Sequence, residues 1–333
     1  MEITNHFGTI ISRTPFRLPM GGGGTDLPSY YKEYGGFFLS GAINKYMNIA
    51  VHPRFGKGLR VAYSKTEIVN NADEVEHPKV REALRKTGIK QGLEILSFAD
   101  APASTGLGSS GSFAVGLLRA LHTVNHEFVP PGELAEEACD IAMNILKEPS
   151  GKQDEYAASF GGIRAYKVSK SGKVESEELK MSQSTIADLE SNIMLFYTGI
   201  TRDSGAVLSE QQKNISSGSS VEQMHKIKEI GLESKKALEQ GDLARFGELL
   251  HEHWLTKKRV TKSMTNDWIE KAVEIARENG AIGEKILGAG GGGFLMVYAD
   301  SNHKKLRLAM ERHGMFEHRI RFDFEGSKVV YST

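Results

Sequence analysis

Four short segments hold residues whose types and spacing could do chemistry. In the first, PASTGLGSS at 102–110, glycines let a loop fold tightly, and the helix that follows would leave unpaired N–H groups at its start. Such a loop is an anion site, most naturally for phosphate. The hydroxyls of Ser109 and Ser110 could cap the helix, contact the phosphate or hold a metal ion; an ordinary N-cap with a tight turn is the plain alternative. The second segment, GAGGGG at 288–293, has five glycines, more than a turn requires, and reads as a backbone wall lining a ligand site. In the third, RTPFRLPMGGGGTD at 13–26, two arginines four apart precede four glycines and an acid, which suggests a polar cleft with exposed backbone. The fourth, PSGKQDEY at 149–156, sets Lys152 near Asp154. In a cleft the ammonium would favour an ionised Asp154, able to act as base toward a substrate hydroxyl.

Two better-known nucleotide sites are excluded. The chain has no GxxxxGK(S/T) loop and no HRD catalytic loop. GAGGGG matches GxGxxG in letters, but a strand-like run follows it where a dinucleotide fold needs a helix.

The elements that must position these segments follow from hydrophobic spacing. The first third reads as strands at 8–12, 36–42, 46–52 and 59–63, a helix at 77–87 and a strand at 93–98. Phe113, Leu117 and Leu121 then recur every four residues, the buried stripe of a helix opened by the phosphate-type loop. A second helix is expected at 132–146, with strands at 162–168, 174–180 and 193–197. The next 80 or so residues are mainly helical, and a strand at 294–298, a helix at 302–312 and two short strands close the chain. Strands gather early and helices late, so the class is α+β, not a repeating βαβ sheet. The composition shift near 185–192 suggests two domains, 1–188 and 189–333.

Composition narrows the function classes. The chain has 333 residues, with 42 Lys+Arg against 42 Asp+Glu. A net charge near zero argues against nucleic acid or an anionic membrane as partner. The single cysteine, Cys139, forms no internal disulfide and no thiolate zinc site; it reads as a small core residue. The first residues hold no apolar run of signal-peptide length and no stretch is long enough to span a bilayer, so the expected compartment is the cytoplasm. His251-Glu252-His253 reads as the polar edge of a core helix, and Lys257-Lys258-Arg259 as a solvated face.

Taken together, PASTGLGSS, GAGGGG and RTPFR followed by GGGGTD resemble the three motifs of the GHMP kinase superfamily, in the same order along the chain. More narrowly, RTPFRLPMGGGGTDLPSYY, EPSGKQDEYAASFGG and FYTGITRDS resemble the D-glycero-D-manno-heptose 7-phosphate kinase branch. The resemblance implies an N-terminal domain like ribosomal protein S5 domain 2, a C-terminal ferredoxin-like domain, and an active-site cleft between them. It implies transfer of the ATP γ-phosphoryl to the anomeric hydroxyl of a heptose 7-phosphate. The rivals are another acceptor, such as a fucose-type sugar or an isoprenoid precursor, and a non-catalytic sugar and nucleotide sensor.

Roles follow from the same resemblance. Pro102, Ser104, Gly106, Leu107, Gly108, Ser109 and Ser110 would bind the nucleotide, with Ser110 also a Mg²⁺ ligand. Asp154 would be the catalytic base and Arg17 the arginine that keeps it ionised. Asp26 would bind sugar hydroxyls, with Gly23, Gly24, Thr25, Gly290, Gly291 and Gly292 letting backbone approach the substrate. A sugar phosphate demands cations, and Arg13, Lys45, Lys152 and Arg202 are the candidates. Members of the superfamily carry a magnesium-binding glutamate on the helix before the aspartate. The matching stretch here, Ile141-Ala142-Met143-Asn144, has no acid; Asp140 and Glu148 flank it. The expected partner is a small-molecule sugar phosphate, with monomer or homodimer left open.

Overall fold

The computed structural model describes residues 8–201 and 204–333. The chain opens with β1 (Ile10–Gly21), α1 (Pro28–Tyr34), β2 (Gly36–Pro53), β3 (Leu59–Ala62), β4 (Thr66–Val69), α2 (Pro78–Lys86) and β5 (Leu93–Ala99). There follow α3 (Ser109–Val124), α4 (Pro131–Cys139), α5 (Gln153–Phe160), β6 (Ile163–Val168), β7 (Val174–Glu178), α6 (Gln183–Asn192) and β8 (Ile193–Tyr197). The last part holds α7 (Ser204–Ser216), α8 (Val221–Gln240), α9 (Leu243–Lys257), α10 (Asp267–Glu278), β9 (Gly283–Ile286), β10 (Phe294–Tyr298), α11 (His303–Arg312), β11 (Glu317–His318) and β12 (Lys328–Ser332).

Two sheets organise the molecule. The larger runs β12-β1-β2-β5-β3-β4, and the four-stranded one runs β11-β8-β10-β9. Strand β2 is one continuous strand rather than the expected pair, and it forks the large sheet. Its first half pairs with β6, Gly36 opposite Val168, and its second half pairs with β5, Val51 opposite Ile95. All pairings are antiparallel except β3 with β5. Helix α3 lies on β1 and β2 and buries Ala114, Val115, Leu117, Leu118 and Leu121 to 2% exposure or less. At about 1.5–3 kcal/mol for each large aliphatic side chain, this stripe anchors the helix whose N-terminus carries the glycine loop.

Several local expectations change. Residues 10–21 are strand throughout, so RTPFR lies within strand β1 and not in a loop. The helix expected over 132–146 is α-helical only to Cys139 and then widens into a π turn over Asp140–Ile145. Residues 183–192, where the composition shifts, are helix α6. Strand β12 returns to pair with β1 at the far end of the sequence.

Candidate active site

The site forms where the N-termini of α3 and α5 meet β1. Gly108 is the N-cap of α3 and has φ 77°, a left-handed conformation that suits glycine. The first intrahelical bond runs from the Ser112 N–H to the Gly108 carbonyl, at 3.0 Å. The N–H groups of Ser109, Ser110 and Gly111 therefore have no partner within the helix, and no described side chain caps it. This is an anion cradle of three amides.

Arg17, 4% exposed on β1, ties the cradle to Asp154. Its Nε and Nη2 lie 2.8 and 2.7 Å from Asp154 Oδ1, and its Nη1 donates to the Gly106 carbonyl at 2.5 Å. The Arg17 N–H donates to the Leu107 carbonyl at 3.0 Å. Asp154 thus turns one oxygen to a fixed guanidinium, while Oδ2 makes no hydrogen bond to the described residues. Its side chain is about one-third exposed, the only part of the pair that reaches the cleft.

Asp26 has a different task from the one its sequence position suggested. It is buried, and both its oxygens are used: Oδ1 accepts from the Gly24 N–H (2.9 Å), Oδ2 from the N–H groups of Lys152 (2.8 Å) and Gln153 (3.0 Å). It caps the start of α5 from another segment and so holds Asp154 in place. Burial pushes its carboxyl above the usual carboxylate range, against the pull of those amides. Thr25, fully buried, accepts from the Phe37 N–H at 2.9 Å and sits within 2.8 Å of the Gly22 and Phe37 carbonyls, so it braces the loop. A Cβ at Gly23 would meet the Gln153 amide and one at Gly24 the Gln211 amide: both glycines face protein.

The C-terminal glycines also face protein rather than an open ligand site. Gly291 N–H donates to the Met264 carbonyl at 2.7 Å, and a Cβ on Gly290 or Gly292 would strike the backbone of Met264 or Ile200. The run packs directly on the phosphate-type loop: Phe294 N–H donates to the Thr105 carbonyl at 3.1 Å, and a Cβ at Gly106 would lie 2.5 Å from the Leu287 carbonyl. The two motifs recognised separately in the sequence are one backbone-to-backbone joint.

Two of the expected phosphate cations, Lys152 and Arg13, are otherwise engaged. Lys152 Nζ binds both oxygens of Glu136 (2.6 and 2.8 Å) and the Gly172 carbonyl (2.7 Å). Arg13 pairs with Glu325 at 3.0 Å and stacks over Tyr46. Lys45 rims a small apolar cavity with Tyr197, Phe294 and His318. Arg202 lies outside the described residues.

Sequence reasoning missed several groups. Lys257, read as part of a solvated face, is 7% exposed and donates to the Gly288 carbonyl at 2.6 Å. Burial, with Arg17 nearby, pulls its ammonium down to about 8. Lys285 on β9 is buried beside it, as is His253, whose ring nitrogens have no hydrogen-bond partner among the described residues. The apolar neighbours at i±3 and i±4 on α9, Leu249, Leu250 and Trp254, were the available signal for Lys257 and His253.

Lys79 was also missed. On α2, 6% exposed, it donates to Ser110 Oγ at 2.7 Å and pairs with Glu148 Oε2 at 2.8 Å. Magnesium takes hard oxygen ligands at about 2.0–2.1 Å. Ser110 and Glu148 are such oxygens, but the ammonium stands between them. Glu155 is buried with Oε2 unpartnered among the described residues, and burial together with the Asp154 charge pushes its carboxyl up, toward the neutral form. Among the described residues no group of three acids, histidines or cysteines could hold a metal ion. The residues present do not fit a protein-held magnesium ion at Ser110.

Beside the loop, Met47, Tyr63, Ser64, Phe98 and Pro102 line an open groove of about 410 Å³. Phe98 is 59% exposed there, a flat apolar shelf next to the anion cradle. Pro102 and Ser104 are exposed at the loop's entrance, and Leu107 is buried beneath it. No described helix is long and apolar enough to cross a membrane.

Comparison with known proteins agrees with this geometry. Residues 75–162 match the GHMP kinases N terminal domain and residues 234–314 the GHMP kinases C terminal domain. The chain is 28% identical to the D-glycero-alpha-D-manno-heptose 7-phosphate kinase of Campylobacter jejuni, over 96% of this chain and 98% of that one. It is 24% identical to the bifunctional fucokinase/GDP-fucose pyrophosphorylase of Arabidopsis thaliana, over 92% of this chain but 31% of that longer one. Its fold superposes on a D-glycero-D-manno-heptose 1-phosphate kinase from Bacteroides thetaiotaomicron with TM-score 0.80 at 26% identity, over 97% and 99% of the two chains. The galactokinase of Lactococcus lactis shares the fold, with TM-score 0.77 at 18% identity over 96% and 95%. With both halves of its fold matched, the chain belongs to the GHMP kinases, sugar-kinase-like enzymes that take their phosphoryl group from ATP.

Proposed function

We propose that the protein transfers the γ-phosphoryl of ATP to the anomeric C1 hydroxyl of D-glycero-D-manno-heptose 7-phosphate, giving the 1,7-bisphosphate that feeds nucleotide-activated heptose. The observation that carries this reading is the Arg17–Asp154 pair at the mouth of the α3 anion cradle. Phosphoryl transfer asks for positioning and charge neutralisation more than covalent help. The amides of Ser109, Ser110 and Gly111 would hold the terminal phosphates, and the groove at Phe98 would take the base. Asp154 Oδ2 would accept the proton of the attacking C1 hydroxyl as its oxygen bonds to the γ-phosphorus and ADP leaves. Arg17 would hold that carboxylate in register with the cradle. Residues 1–188 would supply the nucleotide side of the cleft and 189–333 its other side. Magnesium would enter as the counter-ion of the nucleotide. The heptose acceptor rests on the Campylobacter jejuni relative.

A coupled ADP-release assay over a panel of sugars and sugar phosphates, with phosphorus NMR of the product, tests the reading. A new anomeric phosphate on the heptose 7-phosphate is the expected result. Turnover with a different acceptor alone would replace the substrate and keep the mechanism. Nucleotide binding without turnover on any acceptor would favour a regulator, a second reading to which the lysine at Ser110 gives some support.

A further inference from the structure

Helix α2 starts at Pro78, and its second residue points a lysine into the phosphate site. Lys79 is 6% exposed, and an ammonium so enclosed is retained only with partners that repay its lost hydration. Those partners are Ser110 Oγ, in the first turn of α3, and the Glu148 carboxylate, just before α5. An ammonium has three N–H donors, and these two bonds use two of them. Ser110 is exposed, so the third has a route to whatever anion sits on the free amides of α3.

The same place is poor in metal ligands. The stretch 141–144 has no acid, and Ala142 within it is fully buried. A magnesium ion about 2 Å from both Ser110 Oγ and Glu148 would overlap an ammonium that is itself 2.7–2.8 Å from each. One cation, and not two, fits between those oxygens.

We propose that Lys79 is the fixed cation of the phosphate site: its ammonium takes the place of a protein-held metal ion and binds the terminal phosphates of the nucleotide directly. The inference rests on the kinase reading, because it requires a nucleotide at the start of α3. It does not depend on which sugar is the acceptor.

The test is ADP affinity, measured by calorimetry with EDTA and again with excess Mg²⁺, for the full-length protein and for Lys79→Met and Lys79→Arg. The wild type should bind ADP without metal. Lys79→Met should weaken metal-free binding by about tenfold or more, the loss of one charge-assisted hydrogen bond. Its affinity in Mg²⁺ should fall much less, because the nucleotide's own ion then supplies charge. Lys79→Arg, which keeps the cation, should stay near wild type and shows that the site tolerates substitution; thermal melts of all three confirm folding. Equal weakening of Lys79→Met in both conditions would mark a merely structural lysine and overturn the proposal. So would a wild type whose ADP binding vanishes in EDTA. No ADP binding in either condition would overturn the kinase reading and this inference together. A failed heptose assay with the expected affinities would remove only the acceptor.

Discussion

Gly111 lies one turn into α3, directly against Asp154, and Gly111→Ala tests whether that distance sets the rate. The added Cβ would sit 2.6 Å from Asp154 Cβ and 3.0 Å from both Asp154 C and Glu155 N. Carbon atoms rest at about 3.5–4.0 Å, so α3 and α5 must part by roughly 1 Å. No rotamer change relieves this, because every clashing atom is backbone or Cβ. The start of α5 is also tethered by Asp26 on one side and Arg17 on the other. A 1 Å misplacement of a reacting group costs about 100-fold, which is about 2.7 kcal/mol of barrier. Stability should change less. Overpacking costs about 1–3 kcal/mol, and replacing glycine by alanine in a helix returns up to about 1. Steady-state ADP release on the active acceptor, with melting temperature alongside, separates the two effects. The expected variant is folded, with kcat down by about two orders of magnitude. Wild-type kcat in a variant of unchanged or raised melting temperature would refute the claim that the α3–α5 contact positions Asp154.

Asp154→Asn should lower turnover by about 10²–10⁴-fold while ADP affinity holds; wild-type-like rates would exclude Asp154 as the base. Asp26→Ala leaves three backbone N–H groups without their acceptor, and at about 1–3 kcal/mol for each buried orphan it should cost about 3 kcal/mol or more in urea unfolding. A loss under about 0.5 kcal/mol, the scale of an ordinary surface change, would mean that Asp26 does not anchor α5. His253 is fully buried, and burial plus Lys285 and Lys257 hold its imidazole well below the usual range. The unfolded chain then binds the extra proton first, so its contribution to stability is present above pH 6.5 and is lost as pH falls below it. Urea midpoints for His253→Leu should therefore fall less between pH 8 and pH 5 than those of the wild type; parallel curves would contradict this.

The sequence by itself determined which segments matter. Glycine clusters are rare outside places where backbone must approach something closely, and the spacing of Phe113, Leu117 and Leu121 forced the helix that turns the loop into an anion cradle. Side-chain chemistry made Asp154 a candidate base, and resemblance paired it with Arg17, two residues the structure brings within 2.8 Å across 137 positions of chain. What the glycines approach was decided only by tertiary structure, because closeness to a ligand and closeness to another strand leave the same letters. Gly106 meets Leu287, Gly291 meets Met264, and Gly23 meets Gln153. The charged groups divide in the same way. Asp26 stands among glycines as a sugar binder would, yet the fold spends one of its oxygens on the Gly24 N–H and the other on the start of α5, since buried N–H groups must find an acceptor. Lys152 is two residues from Asp154 in sequence, but the first turn of α5 sends it to Glu136. Lys257 reads as an ordinary surface lysine and Lys79 gives no signal at all, because sequence shows a charge but not its burial. Burial depends on which elements pack over it, and for Lys79 that is the meeting of α2, α3 and the segment before α5.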